Sequence, residues 1–230
     1  MPMKRLLLFR IVILFLLTFI ILDATEKVAV TIKSKGDVKY KKELEKKFNK
    51  DLAVGAPLEN KDEISVGKES FASIVFIDDK SMLNIHENTN FVVRRDQKNS
   101  KIIKRISLEY GRIRANVNKD QQNEFIISTP TSVAAVKGTI FWVITNEAEG
   151  DIFYGVEGSV EIRNLISNKT ILLGQNEKGT SDPQGDLEKS KISKEELPDE
   201  EQEDGETKVL RIPFENEEGD IKYLEIYYKE

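Results

Sequence analysis

Residues 129–143 constrain the fold of this chain more than any other segment. They read T-P-T-S-V-A-A-V-K-G-T-I-F-W-V, in which a stretch of small residues and a β-branched and aromatic stretch flank Gly138. Pro130 has a fixed φ and no N–H donor, so it is expected just before a strand rather than inside one. Gly138 permits a sharp bend between the two stretches. The segment therefore predicts two strands that meet at a corner of a sheet.

Short strands are predicted along most of the chain, because apolar or alternating runs are separated by turn-forming residues. The predicted strands are 28–33, 71–77, 82–85, 91–93, 102–110, 111–117, 125–128, 133–137, 139–145, 152–156, 159–164 and 170–173. Residues 41–50 fit either a short helix or an exposed hairpin, and the surrounding strands favour the hairpin. A faint repeat of 109–114 at 156–161 fits either ordinary hairpins or a coiled stack. The pattern predicts an all-β fold, either a double-layered sandwich or β-helix-like.

An apolar leader precedes this β region. Lys4 and Arg5 come before an apolar run at 6–22 that only Arg10 interrupts, and the uninterrupted part has the length of a signal-peptide core. We interpret residues 1–24 as a leader helix that is either a cleaved signal peptide or a retained membrane anchor. Basic residues flank only its N-terminal side, which sends the rest of the chain outward. We therefore expect export, with the protein free in the periplasm or anchored in the inner membrane and facing the periplasm.

The composition changes after Pro183. Residues 186–206 contain ten acidic and three basic residues, a net charge of −7, and almost no apolar side chains. Such a segment buries too little surface to offset its ordering entropy. We therefore expect a flexible acidic linker over 184–206, between a β domain at 28–183 and a C-terminal β-hairpin at 207–230. Because an isolated hairpin is marginal in water, it is expected to dock on a sheet edge, of its own chain or of a partner.

The residue inventory excludes several kinds of chemistry. The chain has no cysteine, which excludes disulfides, thiolate metal sites and a cysteine nucleophile. His86 is the single histidine, so a multi-histidine metal site is excluded and the residue is predicted to lie at the surface or in a turn. The adjacent acids Asp78 and Asp79 predict a solvated turn. The sequence contains no nucleophile elbow and no phosphate-binding loop. We predict a protein that is not an enzyme and uses no cofactor or metal.

Two features are candidates for partner binding. In the strand 139–145, alternation places Phe141 toward the core and Trp142 on the other face. There Trp142 is either an exposed anchor for a partner, or it is covered by the terminal hairpin or another layer.

The second feature is a basic block between residues 94 and 114, with eight basic and two acidic residues. It includes Arg105, together with Arg112 and Arg114, which share a face of their strand. The block is either an ordinary solvated face, or a surface that meets anionic envelope polymers or the acidic segment of the same chain.

An ordered set of landmarks between residues 28 and 183 resembles the FecR domain, a bacterial cell-envelope module named for the ferric citrate regulator. The landmarks are 36–38, 54–58, 61–62, 73–79, 108–111, 129–130, 133–143, 156–160 and 173–175. The resemblance implies structural roles in an all-β module for Thr129, Pro130, Gly138, Thr139, Phe141 and Gly158. Well-known members are regulators with a cytoplasmic anti-sigma segment, one membrane span and a periplasmic domain that reads an outer-membrane receptor. Only residues 1–5 precede the apolar run here, so the anti-sigma mechanism is not expected of this sequence.

These patterns predict an exported FecR-like protein that acts as a non-enzymatic binding or scaffold module in the bacterial cell envelope. The main alternative is a periplasmic signal-transducing regulator that works through a separate membrane partner. A third interpretation is a hydrolase or lyase acting on envelope polysaccharide. The expected partners are an envelope protein or an anionic glycan, and the inner membrane if the leader is retained. The net charge of −5 argues against nucleic acid as a partner.

Overall fold

The structure is a computed structural model that describes residues 26–98, 100–120, 123–146, 148–198, 207–215 and 220–229. Within these ranges the chain consists of nineteen strands and one short 3-10 turn at Lys194–Glu196. The predicted all-β class is therefore confirmed. The leader predicted at 1–24 lies outside the described residues. No helix within the described ranges is long and apolar enough to cross a membrane.

The strands are numbered in chain order. They are β1 (Lys27–Lys35), β2 (Val38–Lys41), β3 (Lys50–Asp51), β4 (Pro57–Glu59), β5 (Glu63–Val66), β6 (Phe71–Phe76), β7 (Met82–Ile85), β8 (Thr89–Lys98), β9 (Lys101–Val117), β10 (Glu124–Ser128), β11 (Ser132–Val136), β12 (Thr139–Asn146), β13 (Gly150–Glu157), β14 (Val160–Asn164), β15 (Thr170–Leu173), β16 (Glu177–Ser181), β17 (Leu187–Lys191), β18 (Thr207–Glu215) and β19 (Ile221–Lys229).

Strands β1–β17 form two layers that share the long strand β9. The front sheet has the order β4-β1-β6-β7-β9-β12-β13-β16-β17. The back sheet has the order β3-β2-β5-β8-β9-β10-β11-β14-β15. After β9, successive hairpins alternate between the two sheets, so the chain winds around a common core. Both sheets are open, and the architecture is a double-layered sandwich.

Strand β9 crosses from the back sheet to the front sheet at Gly111. The sequence predicts two strands here, 102–110 and 111–117, whereas the structure has one strand, Lys101–Val117. Gly111 has φ +115°, and a Cβ at this position would lie 2.2 Å from Thr89 Oγ1. Only glycine fits this backbone. The inward-facing positions change here from even-numbered residues such as Leu108 to odd-numbered ones such as Ile113.

The space between the sheets is filled by aliphatic and aromatic side chains. Phe76, Phe91, Phe141 and Phe153 are all fully buried, and the rings of Phe76 and Phe125 meet edge to face with centroids 5.4 Å apart. Burying one such side chain stabilises the fold by about 1.5–3 kcal/mol. The alternation that predicted the strands thus supplies one continuous apolar core.

The flexible linker predicted from residue 184 is wrong for its first part. Strand β17 pairs with β16 from Ser181↔Leu187 to Glu177↔Lys191. The pairing uses backbone hydrogen bonds, which do not require apolar side chains, and Leu187 alone anchors the strand with 9 % exposure. The sandwich therefore extends beyond Pro183, while residues 199–206 lie outside the described ranges.

Two hairpins expected from the sequence are present. In the segment 41–50, β2 and β3 pair with Tyr40 opposite Lys50, and Leu44 in the connecting turn is 93 % exposed. At the C-terminus β18 and β19 form a two-stranded sheet of their own, with Thr207 opposite Lys229 and Glu215 opposite Ile221.

Candidate functional site

A row of large polar and aromatic side chains crosses the outward face of the front sheet. In the strand register Asn84 faces Arg114, Arg114 faces Trp142, Trp142 faces Tyr154, and Tyr154 faces Lys178. Residues directly opposite each other in antiparallel strands have Cβ atoms about 4.5–5.5 Å apart, so each of these residues lies beside the next, and Lys178 Nζ lies 5.8 Å from the ring centroid of Tyr154. We call these five residues the outer row.

His86, at the end of β7, packs against the outer row. Its ring lies 4.9 Å from that of Trp142 and 5.4 Å from that of Phe71, measured between centroids. Arg112 approaches both partners, with Nη2 3.4 Å from His86 Nδ1 and the guanidinium carbon 5.8 Å from the centroid of Trp142. We call His86, Phe71, Arg112 and Trp142 the His86 cluster.

The His86 cluster keeps its imidazole neutral. Burial lowers the pKa of His86 to about 4, helped by the positive charges of Arg112 and Arg114 and opposed by Glu87. Arg112 is only a donor, so Nδ1 accepts its hydrogen bond and the ring proton is assigned to Nε2. A neutral, buried imidazole between two arginines is a packing element rather than a proton-transfer group at pH 7.

The predicted surface position of His86 is wrong, since the residue is only 4 % exposed. It is covered by two aromatic rings of the front sheet. Phe71 comes from β6, which is next to β7, and Trp142 comes from β12, which lies beyond β9. Trp142 itself is 1 % exposed, although it lies on the face away from the core as alternation predicts. The structure thus places Trp142, Arg112 and Arg114 together, with the tryptophan covered.

Arg105 lies on the other side of the molecule. It belongs to the half of β9 in the back sheet, where it faces Arg94 of β8. The change of inward parity at Gly111 separates it from Arg112 and Arg114. Arg105 and the pair Arg112 and Arg114 therefore lie on the outward faces of different sheets, so the basic block does not form one surface.

The Thr-Pro motif joins the two sheets at one end of the sandwich. Thr129 Oγ1 donates to Asp151 Oδ2 at 2.6 Å and accepts from the backbone N–H of Ser132 at 2.8 Å. Ser132 and Ser181 are joined by a hydroxyl–hydroxyl hydrogen bond of 2.8 Å. Pro130 is exposed beside this network. The motif thus connects the β10–β11 turn of the back sheet with β13 and β16 of the front sheet.

The glycine corners of the family motif stack on each other. Gly138 has φ +67° and Gly158 has φ +76°, and a Cβ on Gly158 would lie 2.6 Å from the carbonyl oxygen of Gly138. Thr139 Oγ1 donates to the carbonyl of Ser159 at 3.0 Å, while Phe141 is fully buried. These contacts hold the β11–β12 corner against the β13–β14 turn.

Sequence reasoning missed a buried ion pair at the end of the sandwich opposite the Thr-Pro motif. Lys104 is 1 % exposed, with Nζ 3.2 Å from Asp78 and in direct contact with Asp79. The predicted turn is present at residues 77–79 and Asp78 is exposed there, but Asp79 is only partly exposed and is bound to Lys104. Alternation in the sequence could have predicted the burial of Lys104, because this residue has the same strand parity as Ile106 and Leu108 and so faces inward.

A cavity of about 410 Å³ lies where the β12–β13 and β16–β17 hairpins end. Its charged lining residues are all acidic, namely Glu149, Asp151, Asp182, Asp186 and Glu188. Across the described ranges, no three histidine or acidic side chains are arranged to hold a metal ion. The cavity repels anions, so an anionic polymer would have to bind elsewhere.

Comparison with known proteins supports the family resemblance. Residues 62–161 match the sequence model of the family described as FecR protein. Two crystal structures of a proposed anti-sigma factor from Parabacteroides distasonis are similar, at 24 % and 22 % identity, each with a TM-score of 0.48. Each similarity covers 57 % of this chain and 60 % of the other, so the chain spans less than two thirds of their length. None of the curated proteins matches the chain. Residues 62–161 of this chain are a FecR domain.

Proposed function

We propose that the chain is an exported, FecR-type signal-transducing regulator that acts by binding a partner protein and not by catalysis. The observation that carries the proposal is the FecR domain at residues 62–161. The apolar run at 6–22, with basic residues only before it, supports export.

The state of the polar groups supports a binding role. The single imidazole is neutral, buried and flanked by two arginines, so it is not placed for general acid–base catalysis. Asp79 is bound to Lys104 and to Ser81, and Asp151 to Thr129. These groups stabilise the sandwich, which is what a rigid recognition module requires.

The outward face of the front sheet is the proposed contact for the partner. Arg112 and Arg114 are partly exposed there, above the covered Trp142. Because His86 and Trp142 hold Arg112 from beneath, its position is fixed before a partner arrives, which reduces the entropy lost on binding.

Transcript profiling tests the regulatory role. Deleting the coding sequence in the organism that carries it is expected to change a defined set of transcripts, restored by the wild-type chain but not by the Arg112→Ser/Arg114→Ser variant. A Lys46→Ser/Lys47→Ser variant removes the same charge from exposed positions and is the matched control. A deletion strain with an unchanged transcript profile would contradict the proposal.

One observation favours a second candidate, an envelope scaffold that binds anionic glycan. Arg94 and Arg105 face each other on the outward side of the back sheet. Like charges at facing positions are destabilising unless an anion lies between them. If this is their role, Arg94→Ser/Arg105→Ser lowers retention on immobilised heparin at low salt while Lys46→Ser/Lys47→Ser does not. Equal retention of the two variants would remove this candidate.

A further inference from the structure

The buried lysine of the sandwich lies beside two carboxyl groups. Lys104 Nζ contacts Asp79 directly and lies 3.2 Å from both oxygens of Asp78, and the Lys104 side chain is 1 % exposed. Lys101 and Glu124 form a comparable pair at the surface, with Nζ 2.5 Å from Oε1 and side chains that are 39 % and 38 % exposed. An amine and a carboxyl group in contact are the two reactants of an amide bond, and only the first of these pairs is shielded from water.

The surroundings of Lys104 are apolar and nearly dry. Its Nζ lies 5.4 Å from the ring centroid of Phe76 and 6.0 Å from that of Phe125. The cavity beside Lys104 and Asp79 has a volume of about 10 Å³, which is room for about one water molecule. Transfer of one proton from the ammonium group to the carboxylate leaves an uncharged amine beside an uncharged acid, and an apolar site accepts that pair more readily than water does.

The carboxyl group of Asp79 is held in place by the turn that carries it. The backbone N–H of Ser81 donates to Asp79 Oδ1 at 2.9 Å, and the Ser81 hydroxyl donates to Oδ2 at 2.8 Å. Asn118 Nδ2 donates to the backbone carbonyl of Asp79 at 2.7 Å. The carboxyl group is therefore fixed against the amine, and the N–H at Oδ1 is placed to stabilise negative charge on that oxygen when a nucleophile adds to the carboxyl carbon.

We propose that Lys104 and Asp79 condense to an amide bond with loss of one water molecule, and that Asp78 carries the proton. One ammonium proton passes to Asp79 Oδ2, and the lone pair of the resulting amine attacks Asp79 Cγ, which places negative charge on Oδ1. Asp78 takes a second proton from Nζ and passes it to Oδ2, so the C–Oδ2 bond breaks and water leaves. The nitrogen keeps its third proton, the charges of the lysine and the aspartate cancel, and Asp78 is a carboxylate again.

The amide bond joins the two sheets of a chain that has no cysteine. Asp79 lies in the turn between β6 and β7 of the front sheet, and Lys104 lies in the half of β9 that belongs to the back sheet. The bond closes a loop between them and so restricts the unfolded chain, as a disulfide does. The charge interactions of Lys104 belong to the chain before the bond forms. The inference does not depend on the identity of the partner.

Mass spectrometry of the full wild-type chain tests the bond. After incubation of the folded protein, the intact mass is expected to be lower by one water molecule than the sequence requires. A tryptic digest should then contain the peptide 69–80 joined to the peptide 102–105, because trypsin does not cleave after an acylated lysine. Lys101 and Glu124, the exposed pair in contact, should remain unjoined in the same digest. An unmodified mass after prolonged incubation would overturn the proposal.

Three variants assign the roles of the residues. Lys104→Met removes the nucleophile and Asp79→Ala the acceptor, so both are expected to keep the unmodified mass. Loss of water that persists in Lys104→Met would place the dehydration elsewhere, for example at Asp204-Gly205, and would overturn the proposal. Asp78→Ala keeps both reactants and should slow bond formation after refolding by about tenfold or more, whereas an unchanged rate would refute the role of Asp78. The joined peptide is read in the wild-type chain, so this result does not depend on whether the variants fold.

Discussion

Lys104 and His86 are two buried bases that the sandwich treats in opposite ways. Lys104 lies between the sheets with two aspartates beside it, and its ammonium group also lies 5.4 Å from the ring of Phe76. His86 lies on the outward side of the front sheet, with two arginines and no bound carboxylate. One site compensates a positive charge, and the other excludes it. The two sites thus differ in their charged neighbours, which are carboxylates beside the lysine and guanidinium groups beside the imidazole.

The largest effect is expected from removing the aromatic support of the neutral site. Trp142→Ala deletes a side chain that is 1 % exposed, so we expect the free energy of unfolding to fall by about 4 kcal/mol and Tm by on the order of 10 °C. Chemical and thermal denaturation measure both quantities. An unchanged Tm would show that Trp142 does not pack against His86. The site of His86 would then not be a buried site that can be compared with that of Lys104.

Acid titration tests whether His86 really excludes its proton. Its folded pKa of about 4 lies below the ordinary value of 6.5, so between these pH values the unfolded chain binds a proton that the folded chain does not. Stability is therefore lost as pH falls from about 6.5 to about 4, by about 3 kcal/mol in total. His86→Gln is the control, and its stability should depend less on pH in this window. Parallel curves for wild type and variant would contradict the assignment.

Breaking the charged site is expected to cost less, because one acid remains. Asp79→Asn leaves Lys104 with Asp78 alone, at 3.2 Å, and we expect a loss of about 2 kcal/mol in unfolding free energy. Asp78→Asn should cost less than Asp79→Asn, since the Asp78 side chain is more exposed, at 22 % against 11 %. The reverse order in urea denaturation would show that the two acids have exchanged roles.

The smallest effect concerns the arginine beside the imidazole. Arg112→Gln removes a positive charge that lowers the pKa of His86, so this pKa should rise. The chain has one histidine, so a single resonance reports the titration in proton NMR. Arg105→Gln, on the other sheet, is the matched control and should leave the titration unchanged. A shift of equal size in both variants would mean that net charge, and not contact, determines the pKa.

The sequence predicts the class of this fold well because its signals are local. The strand predicted at 170–173 has the bounds of β15, and the corner around Gly138 joins β11 and β12 as its glycine suggests. Strand β17 was missed because its pattern is polar and its stability comes from pairing with β16, which no local pattern reveals. Residue propensity predicts a strand that has an apolar face of its own, but it does not predict a polar strand that is stabilised by pairing with a neighbouring strand.

The candidate site was less predictable because its residues come from distant strands. His86 directly follows β7, while Arg112 and Trp142 lie on β9 and β12, and their contact depends on the order of these strands in the front sheet. Likewise, the separation of Arg105 from Arg112 depends on a change of parity at Gly111, which alternation alone does not locate. Both the contact and the separation depend on the topology of the sheets, which local patterns in a single sequence do not reveal.

The passage of β9 through both layers has a mechanical consequence. Seventeen residues of one strand are bonded to β8 and β10 in the back sheet and to β7 and β12 in the front sheet. A force applied to either sheet is therefore transmitted to the other through the covalent backbone of β9. Neither sheet can separate from the sandwich while the other remains folded. Pulled in an optical trap, the sandwich should rupture in a single step.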